Sequence, residues 1–251
     1  LAICKSEAVV TRSLRLGETS KIVWLYTKDF GRVKAVAKGA RSAKSRFGSS
    51  LELFTHCSVV FYRKDRRDLQ LLSQSDTLHH FSVLETDVAR FAFASACIEL
   101  LNTMIVGEDT NPPLFQLLLD TLSSFEECPR QGLRSVLWSF ELKAAGALGY
   151  KPELFRCSRC NRESELKRFA PLKGGLVCNA CGLRESDSFE VSAEAKELLR
   201  RLQANSFSEV AQEAPGSRLE SEIDRIVEVF LQFHVDRLPG LKSLKLLKGL
   251  R

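Results

Sequence analysis

Two tight cysteine pairs constrain this chain more than any other feature. Cys157-Ser-Arg-Cys160, seventeen further residues and Cys178-Asn-Ala-Cys181 give the pattern CxxC-x17-CxxC. Two residues between thiolates let both sulfurs of a knuckle reach one tetrahedral ion at about 2.3 Å. The segment between the pairs has the makings of a small ribbon: Arg168-Phe169-Ala170, then Lys173-Gly174-Gly175 as a turn, then Leu176-Val177. The spacing suits a Cys4 zinc site. A redox CxxC would be one motif rather than two, and iron–sulfur clusters follow a different cysteine rhythm. A catalytic zinc needs an open coordination position, which four thiolates close. One structural Zn2+ is therefore expected, held by Cys157, Cys160, Cys178 and Cys181 in a ribbon spanning residues 153–185.

The other four cysteines, Cys4, Cys57, Cys97 and Cys128, are scattered. Cys57 and Cys97 sit in apolar runs and read as small core residues. Such usage points to a reducing compartment. Leu1–Val10 is too short and too polar for a signal peptide, and no stretch reaches the roughly 18–20 uncharged apolar residues of a membrane span. The expected location is the cytoplasm.

Charge is unevenly spread. Residues 1–80 carry 15 Lys+Arg against 7 Asp+Glu, whereas the rest carries 22 against 24. The net charge of +6 thus belongs to the N-terminal third. This asymmetry suggests a polyanion-facing domain joined to a near-neutral body.

That N-terminal third reads as about five strands. Ala8–Leu14 alternates weakly, and Lys21–Thr27 is β-branched and aromatic. A turn at Lys28–Gly31 leads to Arg32–Ala37, where Val33, Ala35 and Ala37 share one face and Arg32, Lys34 and Val36 the other. Lys38–Ser50 is small, basic and Gly/Ser-rich, and is expected to be a mobile loop. His56–Tyr62 and Asp68–Ser73 complete the set across a charged turn, Arg63–Arg67. Five short strands in this length fit an OB-fold barrel.

Beyond residue 80 the period becomes helical. Phe91, Ala94, Ile98, Leu101 and Ile105 line one helix face. Further helices are expected over Leu114–Phe125, Leu133–Leu148, Val191–Leu202 and Leu219–Leu238, the last stopped by Pro239-Gly240 before a basic tail, Leu241–Arg251. The expected class is α+β multidomain. An OB-fold barrel over 1–80 precedes an all-α helical domain over 81–251, with the Cys4 zinc ribbon inserted in it.

Ten basic residues lie between Arg32 and Arg67, opposed only by Glu52 and Asp65. They cluster where OB-folds bind a strand. Lys34, Lys38, Arg41, Lys44, Arg46, Arg63 and Lys64 are the candidate phosphate contacts. Phe47 is the candidate for base stacking, while Phe54 and Phe61 read as core. No base-reading motif is present, so binding should be sequence-independent and salt-sensitive. The chain contains no GxxxxGK[ST] loop, GxSxG elbow or HExxH pattern. His56, His79, His80 and His234 read as structural, and the chain is not expected to be an enzyme.

Several short strings follow one another at set spacings: Glu7-Ala-Val-Val10, Leu16-Gly-Glu-Thr-Ser-Lys21, Thr27-Lys-Asp-Phe-Gly31, Lys38-Gly-Ala-Arg41, Ser45-Arg46-Phe47-Gly48 and Leu51-Glu-Leu-Phe54. Phe140-Glu-Leu142, Leu148-Gly-Tyr150 and Leu244-Lys-Leu-Leu247 continue the series along most of the chain. Their order and spacing resemble the RecO family of bacterial DNA repair and recombination mediators. The resemblance implies an OB-fold, a helical domain and a zinc-ribbon insertion. It implies binding of ssDNA and dsDNA, strand annealing, partnership with RecR and a place in the RecA pathway at the nucleoid. The acidic C-terminal tail of single-strand-binding protein would want a cation beside an apolar pocket, and Arg134 with Trp138, one turn apart, is the candidate pair. Two other classes remain open: a zinc-ribbon protein-interaction scaffold, and an RNA-binding OB protein.

Overall fold

The computed structural model describes residues 2–64, 67–105, 109–234 and 243. Arg66, the stop at Pro239-Gly240, the string Leu244–Leu247 and all of the basic tail but Ser243 lie outside the described residues. The chain divides into two compact units, residues 1–94 with 105–126, and residues 95–104 with 127–251.

In the first unit, five strands close into a barrel of order β1-β2-β3-β5-β4: β1 (Ala2–Leu16), β2 (Ser20–Thr27), β3 (Gly31–Ala37), β4 (Thr55–Arg63) and β5 (Leu69–His80). All pairings are antiparallel except β3 with β5, where Lys34 faces Leu69 and Val36 faces Leu71. That single parallel closure is what makes the meander an OB-type barrel. The alternation in β3 holds: Val33, Ala35 and Ala37 are buried, and Arg32, Lys34 and Val36 face outward. Gly31 turns the β2–β3 hairpin at φ 60, a conformation that favours glycine.

The segment from Lys38 to Phe54 is not an open loop. It is a chain of turns whose apolar residues Ala40, Phe47 and Leu51 enter the barrel core beside Val10, Leu25 and Leu72. Phe47 is 2% exposed. Turning it out to meet a base would forfeit about 1.5–3 kcal/mol of burial, so it is a core residue and not the stacking platform. Phe54 and Phe61 are core as expected.

Helix α1 (Ser82–Thr86) leads into α2 (Val88–Met104), through which the division between units runs. The first unit adds most of α3 (Pro112–Glu127). Asn111 caps α3, its Oδ1 accepting the Leu114 N–H at 2.9 Å. On α3, Phe115 packs against Tyr26 of the barrel.

In the second unit, α4 (Leu133–Ala147) is the central helix, buried along nearly its whole length. It packs against α6 (Ala193–Ala204), α7 (Phe207–Val210) and α8 (Ser217–His234). Ser192 caps α6, and a Ser206/Glu209 capping box opens α7. The Ser139 hydroxyl on α4 donates to the Leu202 carbonyl at 2.7 Å. Between α4 and α6 the chain forms a three-stranded sheet of order β7-β6-β8, from β6 (Leu166–Ala170), β7 (Gly175–Cys178) and β8 (Phe189–Glu190). The short helix α5 (Asn179–Gly182) follows β7.

Candidate metal centre and nucleic-acid interface

The four paired cysteines converge. Each offers one Sγ, and all four lie within 4.8 Å of one another. Sulfurs at about 2.3 Å from a tetrahedral ion would stand about 3.8 Å apart, and Cys160 Sγ and Cys178 Sγ are 3.8 Å apart. The donor set and its spacing therefore fit a metal ion that takes four thiolates.

Local structure explains the convergence. The first knuckle is a tight loop in which the Asn161 N–H donates to the Cys157 carbonyl at 2.9 Å, with Asn161 at φ 60. It is fastened to β7 by the Ser158 N–H and hydroxyl, both donating to the Leu176 carbonyl. The second knuckle is Cys178 at the end of β7 followed by α5. Burial opposes a thiolate at Cys157, whereas backbone N–H groups of Cys178, Cys160 and Arg159 and the Cys160 side chain lower its pKa; within the same cluster the Cys178 side chain raises that of Cys181, because without an ion the four sulfurs share protons. By contrast, burial pushes the Cys57 thiol up to about 11 and that of fully buried Cys97 well above its usual value. Those two are inert core thiols.

One glycine shows how tightly the ribbon is built. A Cβ on Gly175 would stand 2.2 Å from the Glu153 carbonyl oxygen and 2.7 Å from Ser158 Oγ. Glu153 lies in the segment entering the first knuckle and Ser158 in the knuckle itself. Gly175→Ala is expected to force that segment off β7 and lower metal affinity, by at least tenfold in a chelator competition. An alanine variant with unaltered affinity would show that the contact is not needed to shape the site.

On the barrel, the cationic candidates lie on β3, on the turns after it and at the end of β4. Lys38, Arg41, Lys44 and Arg46 are exposed along the turns after β3. Arg41 also fastens those turns, donating from NH1 to the carbonyls of Gly17 and Glu18 at 3.1 and 3.0 Å. Lys34 projects from β3 and meets Asp68 at 2.9 Å. An exposed pair like this contributes about 0–1 kcal/mol, too little to keep Lys34 from a phosphate. Arg63 ends β4 and Lys64 follows it, its N–H donating to Gln70 Oε1 at 2.9 Å; Gln70 pairs with Ala35, the neighbour of Lys34 on β3.

Three further residues share the outer surface of the barrel with them. Arg12, Arg15 and Trp24 accompany the candidates, and Arg12 and Arg15 line a groove of about 610 Å³ with Lys21, Arg41 and Glu52. The signal for Trp24 was available in the alternation of β2, which turns Val23 and Leu25 inward and leaves Trp24 half-buried on the outer face.

Arg134 and Trp138 do meet, with the guanidinium 5.9 Å from the ring centre. Trp138 is nevertheless 2% exposed, and its indole N–H donates to Asp224 Oδ1 at 2.9 Å. Arg134 donates to both Asp224 carboxylate oxygens at 2.8 Å. The pair thus offers neither the apolar opening nor the uncommitted cation that capture of an acidic tail requires. The histidines are all engaged: His56 with Glu7, His79 with Glu126, His80 with Thr55, and His234 with the Pro171 carbonyl. Burial lowers the His56 pKa below its ordinary value despite Glu7.

Two family models match the chain: one described as Recombination protein O N terminal over residues 1–81, the other as Recombination protein O C terminal over residues 85–245. Among curated proteins, the chain is similar to the DNA repair protein RecO of Thermobifida fusca, 33% identical over 99% of both chains. The DNA repair protein RecO of Nocardioides sp. is 34% identical over 96% of this chain and 97% of its own. That of Symbiobacterium thermophilum is 30% identical over 100% and 99%. No helix among the described residues is long and apolar enough to cross a membrane.

Proposed function

The chain belongs to the RecO family of DNA repair proteins, and from that premise we propose that it is a non-enzymatic recombination mediator. It binds ssDNA and dsDNA without regard to sequence, anneals complementary strands, and acts with RecR to load recombinase on strands coated by single-strand-binding protein, in the cytoplasm at the nucleoid. The cysteine tetrad holds one structural Zn2+. Four thiolates leave that ion no open position, so it supplies shape rather than chemistry.

One observation carries the DNA reading: Lys38, Arg41, Lys44 and Arg46 stand exposed together on the turns after β3, with Lys34 on the adjoining strand. Two strands approaching each other repel along every phosphate. A cationic surface lowers that repulsion by displacing counterions, and it reads no bases in doing so. Indifference to sequence suits repair, which must work wherever damage falls.

Annealing of two complementary labelled strands tests the reading. The wild type is expected to anneal rapidly. Lys38→Glu/Lys44→Glu, with an unchanged melting temperature, is expected to lose at least tenfold in rate and to flatten the logarithmic salt dependence of binding by about 2. If neither protein binds or anneals DNA, the barrel charge serves another partner. Equal annealing by both would leave the activity standing and remove these two residues from the site.

A further inference from the structure

We propose that Trp24 is a base-stacking platform for single-stranded nucleic acid, with Arg12 and Lys34 as its phosphate-binding flanks. This rests on the DNA-binding reading above and adds to it where a base is held and why a single strand is preferred there.

The placement is built by the ladder. Trp24 pairs with Arg12 of β1 on one side and Lys34 of β3 on the other. The three side chains therefore form a row across the outer face of β1, β2 and β3. The Arg12 guanidinium lies over the indole ring at 4.9 Å from its centre and the Lys34 ammonium at 5.5 Å, so a base stacks there by taking the place of one of these cations, which then turns to the strand's phosphate. A β-bulge between Val10 and Arg12 makes this possible. Upstream of it, Val10 is in the barrel core; the extra residue, Thr11, is buried with its hydroxyl donating to the Trp24 carbonyl at 3.1 Å, and Arg12 is turned out to solvent. Bulges commonly re-aim a side chain in this way.

A half-buried tryptophan between two cations is the arrangement that stacks an unpaired base while pairing its phosphates. The row also leads somewhere. Arg12 is shared with a groove of about 610 Å³ that Arg15, Lys21 and Arg41 line together with Glu52 and Glu85; Glu52 takes Lys21 at 2.7 Å, so Arg15 and Arg41 are the cations onto which a strand stacked at Trp24 continues. A duplex keeps its bases inside and can use the cations only.

The test measures binding of a labelled oligothymidylate, an abasic oligomer of the same length, and a duplex. Proteins are the wild type, Trp24→Leu and Trp24→Phe. Wild type is expected to prefer the oligothymidylate to the abasic strand by roughly 5- to 150-fold, the equivalent of one stacked base. Trp24→Leu is expected to abolish that preference, bringing oligothymidylate down to the abasic strand, while its loss on the duplex is the smaller of the two. Trp24→Phe, which keeps an aromatic face, is expected to retain most of it and shows that the position tolerates change. Preference preserved in Trp24→Leu overturns the platform and leaves DNA binding intact. So does a wild type that binds both single strands equally. A wild type that binds no nucleic acid overturns both this proposal and the function proposed above.

Discussion

Removing the metal is expected to unfold the ribbon outright. Cys178→Ser, or a strong chelator at neutral pH, should abolish stoichiometric zinc in metal analysis and bring amide exchange in residues 153–190 close to the unchained rate. The reason is size. The ribbon's strands are five, four and two residues long, and apart from its cysteines its buried apolar set is Leu154, Leu166, Phe169, Ala170, Leu176 and Val177. So few residues cannot offset their own ordering entropy. Apparent zinc-binding energies for four-ligand sites are on the order of 10–16 kcal/mol, which exceeds anything else available to this segment. Loss should also be steep in acid, because the ligands bind as thiolates and protons compete for them. The damage should reach α8, since Phe169 of β6 packs on Phe230 at 6.3 Å between ring centres. A ribbon that keeps its exchange protection after metal is stripped would show that packing, not coordination, holds it.

The two sites were legible in the sequence to different depths. Cysteine spacing is a local code: two residues per knuckle fix the geometry wherever the knuckle is placed, and the four sulfurs meet as that spacing requires. The alternation of β3 and the helical stripe through Ala94, Ile98 and Leu101 are likewise local, and those residues are buried. Phe47 failed because its neighbours misrepresent it. Glycine, serine and cations around an aromatic suggest a loop tip, yet the chain doubles back and the ring fills the barrel beside Leu51. Trp24 failed for the converse reason. Its cationic neighbours are close only across the ladder, where Arg12 is twelve residues away and Lys34 ten, and the bulge that aligns Arg12 leaves no mark in composition. Arg134 and Trp138 show the limit of helix spacing. It places them together correctly but says nothing of Asp224, ninety residues on from Arg134, which takes both of their donors.

Beside that trio sits a carboxyl that stability should report. Glu141 on α4 is 6% exposed, and its pKa is raised to about 8, first by burial and then by Asp224 and Glu228, with Arg134 opposing. Asp224 already occupies the Arg134 guanidinium at 2.8 Å, so Arg134 cannot fully compensate a second anion. The folded protein therefore keeps the Glu141 proton up to about pH 8, whereas the unfolded chain releases it near its ordinary value of 4.5. Between those values the folded state binds more protons, so this contribution to stability falls as pH rises, by up to about 1.4 kcal/mol per unit. Below the window it is fully present. Glutamine has the shape of the protonated acid and no charge to bury. Glu141→Gln should accordingly melt close to the wild type near pH 4.5 and above it at pH 8, by roughly 3–5 kcal/mol or some 6–20 °C for a chain of this size. Melting curves of both proteins across that range decide the matter. If glutamine destabilises equally at every pH, the carboxylate is charged in the native state and Arg134 serves Glu141 as well as Asp224.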